Sequence, residues 1–450
     1  MSGESLKPTG PIPEFKGKGS YGCVLGPAIA CVPGTEEGDK ARALASPHVS
    51  KVFFSDDMKL GAEIEANTEY VMGEVLRVID PKGLFTVQPD VKCQPNLQKD
   101  VIKKACSLGE RRQLAEVQVL YSDGGMNLSQ AVLEMPFMDV FKTLVSILSG
   151  LVKMNSGPVT YIHCDLTPNN MTLDVKRGVK FSKMIDFGLM VKTKELYIKS
   201  SILRKPYQYW PPEYDIIKAE GSSNGKMTFT YVIQRYKDTF PSGFADWYAE
   251  SLSAYKSKLR AYLLEHNIRD PVDQANYIRD TFGSKFDVYG LGVSMLVLYA
   301  TSVEKRAPSY VFDFIKGCAD PNPYTRMTAK EALQAFLGMF PVLPDLTEYL
   351  SLSGMDEPDK PMWSVDSLDI DEAFNSIFLR PPSGTRKSPE SSDGIGFRKS
   401  RAAVSVRPPS LGGAPKRRRS SRSKSAAKKG KLSKRRSPSL RKRYKSKQRK

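Results

Sequence analysis

An α+β fold ending in a disordered basic C-terminal tail is what the 450-residue sequence predicts. Three observations point to it. Strand-like stretches crowd the first 121 residues, helix-periodic stretches dominate from there to about residue 350, and the composition changes abruptly after residue 380. Residues 381–450 hold 25 Lys and Arg against only Glu390 and Asp393, a net of +23, so the +19 of the whole chain leaves −4 for residues 1–380. A near-neutral body of that length can bury a sizeable core, whereas the Ser, Arg, Lys, Pro and Gly of the tail bury too little apolar surface to offset chain entropy.

The expected layout is a flexible arm (1–11), a folded domain (12–350), a linker (351–380) and the tail (381–450). Within the domain, "EFKGKGSYGCVLGPAIACV" is punctuated by glycine and β-branched residues and reads as a hairpin, followed by a polar loop, "PGTEEGDKARALASP". "HVSKVFF" reads as a strand. Residues 57–79 carry Val71, Met72, Val75, Leu76 and Ile79 at helical spacing, and "AEVQVLY" (115–121) is a strand closed by the turn "SDGGMN". Residues 137–154 read as a helix leading into the loop "YIHCDLTPNNM", beyond which "MTLDV" and "VKFSKMI" flank the turn "KRG" as a second hairpin. Residues 214–283 read as an insertion with a helix from about Phe244 to Leu264. The apolar helix 284–301 and the amphipathic "RMTAKEALQAFLGMF" follow.

The six cysteines are scattered and form no C-x-x-C pair, so neither a zinc site nor a disulfide framework is expected, and a reducing compartment fits. The N-terminus lacks a charged region followed by an apolar one, and the longest apolar run, "LGVSMLVLYA", is too short to span a bilayer. A soluble, intracellular protein with no membrane partner is expected.

The chemistry-bearing residues come in a fixed order. "GKGSYGCV" sets Gly17, Gly19, Gly22 and Val24 in the pattern G-x-G-x-x-G-x-V, which alone also suits a glycine-rich surface hairpin. Lys51 follows on a strand, and an acidic helix then offers Glu63, Glu65, Glu69 and Glu74 as partners for its ammonium; Glu69 is the first choice and Glu65 the second. Asp165 and Asn170 are five apart on a loop, so one carboxylate can accept a proton from an attacking hydroxyl while the amide oxygen holds a metal. Asp186 in "MIDFGLM" is the second candidate metal ligand, oxygen donors beside phosphates being what Mg²⁺ prefers. His163 reads as a packed support for the loop.

Taken in order, Gly17, Gly19, Gly22, Val24, Lys51, Glu69, Asp165, Asn170 and Asp186-Phe187-Gly188 resemble a eukaryotic-type serine/threonine protein kinase. The resemblance continues in "WPPEYD", "DVYGLG" and Arg326, and spans roughly residues 12–340. It implies a bilobal protein-kinase-like fold, with an N-lobe over about 12–121 and a C-lobe over about 122–350, ATP and Mg²⁺ as cofactors and protein substrates. The glycine loop (Gly17, Lys18, Gly19, Ser20, Tyr21, Gly22) would cover the phosphates, and Leu120 and Tyr121 would lie at the hinge that holds adenine. Phe187, Gly188, Asp287 and a Glu213–Arg326 pair would be structural. The wording "HCDLTPNN" with its large insertion further resembles kinases of large DNA viruses, iridovirus-like ones especially.

Three departures stand out. Cys164 replaces the Arg of H-R-D, which in the family meets a phosphate on the activation loop, so switching on without loop phosphorylation is expected. Thr167 replaces a Lys that touches the transferred phosphate in most family members, which removes one positive charge from the site. Pro168 still favours Ser/Thr over Tyr acceptors. Two other classes compete: a pseudokinase or virion structural protein that binds nucleic acid through its tail, and a small-molecule phosphotransferase. The intact Lys51, Asp165, Asn170 and Asp186 argue against the first, and the downstream elements argue against the second. In the tail, "PKRRR" and "KRR" resemble nuclear-import signals, and clustered cations suit salt-sensitive, sequence-independent DNA or RNA binding. Localisation to a nucleus, the host's if the chain is viral, or to a virion is expected, with basic or virion proteins as substrates. Ser420, Ser421, Ser423, Ser425, Ser437 and Ser439 are interleaved where phosphate would weaken attachment.

Overall fold

The computed structural model describes residues 13–340, apart from 20–21, 45–46, 56–58, 111, 177, 197–206, 214–234 and 237. The arm, Ser20 and Tyr21, the first part of the insertion, the last residues of the expected domain, the linker and the tail lie outside the described residues.

The N-terminal part is an antiparallel five-stranded sheet of order β1-β2-β3-β5-β4: β1 Glu14–Lys18, β2 Gly22–Gly26, β3 His48–Ser55, β4 Pro89–Cys93 and β5 Gln113–Ser122. Alternation decides what each face meets. Phe53, Ala115, Val119 and Tyr121 point one way, onto Ala62 and Ala66 of helix α2 (Lys59–Ile79). Leu25, Val52, Phe54 and Leu114 point the other way, onto Ile102 of the short helix α3 (Lys99–Ala105). This second layer was not legible in the sequence, and part of it corrects the polar loop expected at 33–47. There, Glu36–Arg42 form helix α1, because Thr35 caps the amide of Gly38, acidic residues fill the first turn and basic ones the last.

The outer layer also overturns the cysteine expectation. Cys23 bonds to Cys106 and Cys31 to Cys93, 83 and 62 residues apart in sequence. Spacing along the chain could not reveal these pairs, which the sheet and α3 bring together, and the cysteine pattern no longer supports a reducing compartment. Closing loops of that length removes unfolded-state entropy worth about 4 kcal/mol each in the loop-closure account. Cys23→Ser with Cys106→Ser is therefore expected to lower stability by about 2–5 kcal/mol in urea unfolding. Identical midpoints with and without dithiothreitol would remove the disulfides from the stability argument.

The chain then passes through β6 (Met126–Asn127), α4 (Leu128–Ala131), α5 (Phe137–Lys142) and α6 (Val145–Met154). A single helix was expected over 137–154. It breaks at Thr143, whose carbonyl accepts from Ser182 N (3.0 Å) and whose hydroxyl meets Ser182 Oγ (2.6 Å), diverting the backbone to the neighbouring hairpin. After β7 (Tyr161–Ile162) that hairpin is formed by β8 (Met171–Lys176) and β9 (Val179–Met184), and β10 (Val191–Lys192) pairs back with β7. Two helices of the insertion, α7 (Phe244–Glu265) and α8 (Pro271–Phe282), precede α9 (Phe286–Thr301), α10 (Ser309–Ala319) and α11 (Ala329–Met339). Helix α9 is apolar on nearly every side and is buried accordingly, at the centre of the helical core with Leu148, Leu151, Ile315 and Phe336. Among the described residues, no helix is long and apolar enough to cross a membrane.

Candidate active site

Four elements converge on the residues singled out in the sequence. In the β1–β2 hairpin Gly19 N donates to Gly22 O (2.8 Å), and Gly19 lies close to Asp186: a Cβ there would be 3.9 Å from Asp186 Oδ2. Gly22 has a steric reason to be glycine, since a Cβ there would meet Lys51 Cε at 2.9 Å. Val24 pairs in register with Lys51.

Lys51 projects from β3 between two carboxylates. Its Nζ donates to both Glu69 oxygens (2.7 and 2.6 Å) and to Asp186 Oδ1 (2.9 Å). Of the four helix glutamates weighed from the sequence, Glu69 is the one that meets it; Glu65 instead lies beside Gly188, and Glu74 pairs with Arg77. Burial works against a charged Lys51, but Asp186 and Glu69 overcome it and hold the ammonium above its ordinary range. Burial likewise opposes the charge on Asp186, and Lys51 prevails, keeping this carboxyl below the usual range. Asp186 has a left-handed backbone (φ 65°), an uncommon conformation for a non-glycine residue and one typical of residues constrained at functional sites.

The loop at 163–170 is held from below. Asp287, at the start of α9, accepts from His163 N (2.6 Å) and Cys164 N (3.0 Å), which fixes the left-handed turn at Cys164 (φ 66°). His163 is fully buried; its Nε2 meets Ile185 O at 3.1 Å and its ring lies 5.1 Å from that of Phe187. Burial pushes the His163 pKa down to about 4, so the ring is neutral at pH 7 and its Nε2–H is the donor. Asp165 Oδ2 accepts from Asn170 Nδ2 (2.6 Å), and Oδ1 accepts from the Tyr207 hydroxyl (2.6 Å). Burial pushes Asp165 up to about 7, against the pull of the Tyr207 hydrogen bond and with a further push from the charge on Asp186. Thr167 is buried, and its backbone closes the turn to Asn170 N (2.9 Å).

Three of the candidate nucleotide-binding residues have their side chains engaged within the protein. Lys18 Nζ donates to the carbonyls of Cys106 and Ser107, so its ammonium is engaged on the outer layer. Leu120 faces that same layer, packing with Cys31, Val91 and Cys93. Tyr121 turns inward and donates its hydroxyl to Glu69 Oε1 (2.5 Å). The turn after β5 does need its glycine: Gly125 has φ 80°, and a Cβ would sit 2.4 Å from Leu173 O.

The downstream elements meet as well. Arg326 and Glu213 form a buried two-pronged ion pair (Nη1–Oε1 2.5 Å, Nη2–Oε2 2.9 Å), and Arg326 Nε donates to Asp320 O (2.8 Å). Sequence reasoning missed two things here. One is Tyr207, part of the aromatic run "YQYW" just before Glu213. The other is an apolar cluster in which Ile162, Cys164, Val191, Leu196 and Trp210 pack against Tyr255 and Leu259 of α7 and Ile278 and Phe282 of α8. Trp210 Nε1 donates to Cys164 O (2.7 Å) within it. No local pattern marks such contacts, because their partners lie on different segments of the chain.

A Mg²⁺ ion fits the donors present. Asn170 commits its Nδ2 to Asp165, with contacts to the backbone O (3.0 Å) and to Oδ2 (2.6 Å), which leaves Oδ1 as the atom for a cation. The Asp186 side chain, held through Oδ1 by Lys51, stays about one-third exposed. Among the described residues, no three His, Cys, Asp or Glu side chains gather into a metal cage; Mg²⁺ ordinarily needs only one or two such ligands when substrate phosphates supply the rest.

No family model matches this sequence, and no curated protein matches it. Among solved structures, the chain is similar to the ROP18 kinase domain in complex with AMP-PNP and sucrose, with a TM-score of 0.41 at 14% identity over 76% of this chain and 82% of that one. Within the chain itself, the sheet with its packed helix, the Lys51–Glu69 pair, the Asp165–Asn170 loop and the Asp186-Phe187-Gly188 turn meet in one place, which is the arrangement the resemblance in sequence implies.

Proposed function

We propose that this protein transfers the γ-phosphoryl group of ATP to serine or threonine hydroxyls of proteins. The observation that carries the reading is the convergence of Lys51, paired with Glu69 and Asp186, on the loop that holds Asp165 and Asn170. Lys51 would align the α- and β-phosphates beneath the glycine hairpin. Asn170 and Asp186 would hold Mg²⁺, which when bound neutralises charge on the phosphates. Asp165 would orient the acceptor hydroxyl and take its proton, a task suited to a carboxyl poised near neutrality. Positioning and charge neutralisation, with no covalent intermediate, then account for catalysis. Pro168 supports Ser/Thr acceptors, and Cys164, seated in an apolar cluster, supports activity without loop phosphorylation.

The finer parts of the reading rest on sequence. The wording of the catalytic loop supports kinship with kinases of large DNA viruses, and the tail's charge supports nuclear import and salt-sensitive attachment to DNA or RNA, with basic or virion proteins as substrates. Radiolabelled ATP offered with casein, basic proteins and the enzyme itself tests the central claim. The wild type is expected to label protein on Ser or Thr and Asp186→Ala is not; equal, background labelling by both would end the enzyme reading in favour of a pseudokinase.

A further inference from the structure

We propose that Tyr207 gates the acceptor site: its phenol hydroxyl occupies the place beside Asp165 that an incoming serine or threonine hydroxyl must take, and substrate enters only when it withdraws. The inference rests on the kinase reading above and adds a residue that neither the motifs nor the resemblance assigns.

Both oxygens of Asp165 are already engaged. Oδ2 is held by Asn170 Nδ2 at 2.6 Å, and Oδ1 receives the Tyr207 hydroxyl at 2.6 Å. A base that is to accept a proton from an acceptor needs one oxygen within hydrogen-bond reach of it. Asn170 is an unsuitable group to release, because its side-chain amide also bonds Asp165 O (3.0 Å) and its backbone N–H closes the loop on Thr167 O (2.9 Å). Tyr207 is the movable partner. The chain just beyond it is fixed independently, by Trp210 Nε1 on Cys164 O and by Glu213 on Arg326, so the phenol can leave without unseating that segment. Its carbonyl accepts from Trp210 N (3.0 Å), which anchors the backbone, while its ring lies at the edge of the two apolar clusters with centroids 5.3 Å from Tyr209 and 5.5 Å from Trp210, so the hydroxyl can swing away by side-chain rotation alone. The occupant is moreover a hydroxyl, the same functional group that the substrate brings, so exchange replaces one O–H donor on Oδ1 by another.

Tyr207→Phe tests this, since it keeps the ring contacts and deletes only the hydroxyl. In steady-state assays with Mg-ATP and a serine peptide, the variant is expected to show a lower peptide KM and a kcat/KM raised about tenfold, the factor expected for releasing one hydrogen bond to a charged group. The KM for ATP and kcat should stay within about twofold. Tyr207→Leu, which removes the ring as well, should move peptide KM in the same direction and guards against an effect peculiar to phenylalanine. A fall in kcat at unchanged peptide KM in both variants would overturn the gate and make Tyr207 a positioning residue, and unchanged kinetics would overturn it too. Absence of transfer by the wild type, with no excess over Asp186→Ala, would sink the kinase reading and the gate together; the other outcomes bear on the gate alone.

Discussion

Asparagine in place of Asp165 is expected to slow phosphoryl transfer by about 10²–10⁴-fold, the usual contribution of a positioned general base, while leaving ATP affinity nearly unchanged. The substitution preserves shape but not chemistry. Asp165 is surrounded by donors, the Asn170 amide on one oxygen and the Tyr207 hydroxyl on the other. An asparagine can keep its carbonyl on the Asn170 amide and donate its NH₂ to the Tyr207 oxygen, so the local hydrogen bonds can survive, but it has no atom able to take the substrate's proton. The nucleotide contacts assigned to Lys51 and the glycine hairpin lie on other elements and should persist. Titration with a non-hydrolysable ATP analogue, set beside initial rates, separates the two quantities. A variant that retains activity within about tenfold of wild type would remove Asp165 from the role of base.

Arg326→Ala is expected to be the most damaging single change to stability, at about 3–5 kcal/mol. It strips the counter-ion from Glu213, which is only 2% exposed, and leaves a buried carboxylate with nothing to replace the two charge-assisted bonds. It also leaves Asp320 O without the Nε donor and removes the cation stacked 4.8 Å from the Tyr289 ring. Removing both charges together, as Arg326→Met with Glu213→Gln, should cost less than Arg326→Ala alone, because no unpaired charge remains in the interior. Denaturant unfolding of the single and double variants checks the order. A loss below about 1 kcal/mol for Arg326→Ala would show that water reaches Glu213 and that the pair is not sealed.

What could be read from the sequence depended on how local the determinant was. The strand bearing Lys51, the helix bearing Glu69 and the hairpin after Asn170 announce themselves through periodicity and turn residues within a few positions. The order of motifs then picked out residues that the structure brings within hydrogen-bond distance, although Lys51 and Asp186 lie 135 positions apart. The outer layer was invisible because its determinants are mutual: α1 needs the Thr35 cap to outweigh its polar composition, and each disulfide needs a sheet register to bring its cysteines together. Lys18 and Leu120 fell to the side of the sheet away from Lys51 for the same reason, since a motif gives position along a strand and only packing decides which face matters.

The cluster around Cys164 carries an implication for descent. In the chains this one resembles, an arginine at that position answers to a phosphate; here a small apolar side chain answers to Tyr255, Leu259, Ile278 and Phe282, all supplied by the insertion. A charged guanidinium could not be buried there unpaired, and a chain without these helices would leave Ile162, Val191 and Trp210 bare. The letter at 164 and the presence of α7 and α8 are therefore bound to one another. Similar chains without the two helices should carry a polar residue at this position, and those with the helices should keep it small and apolar.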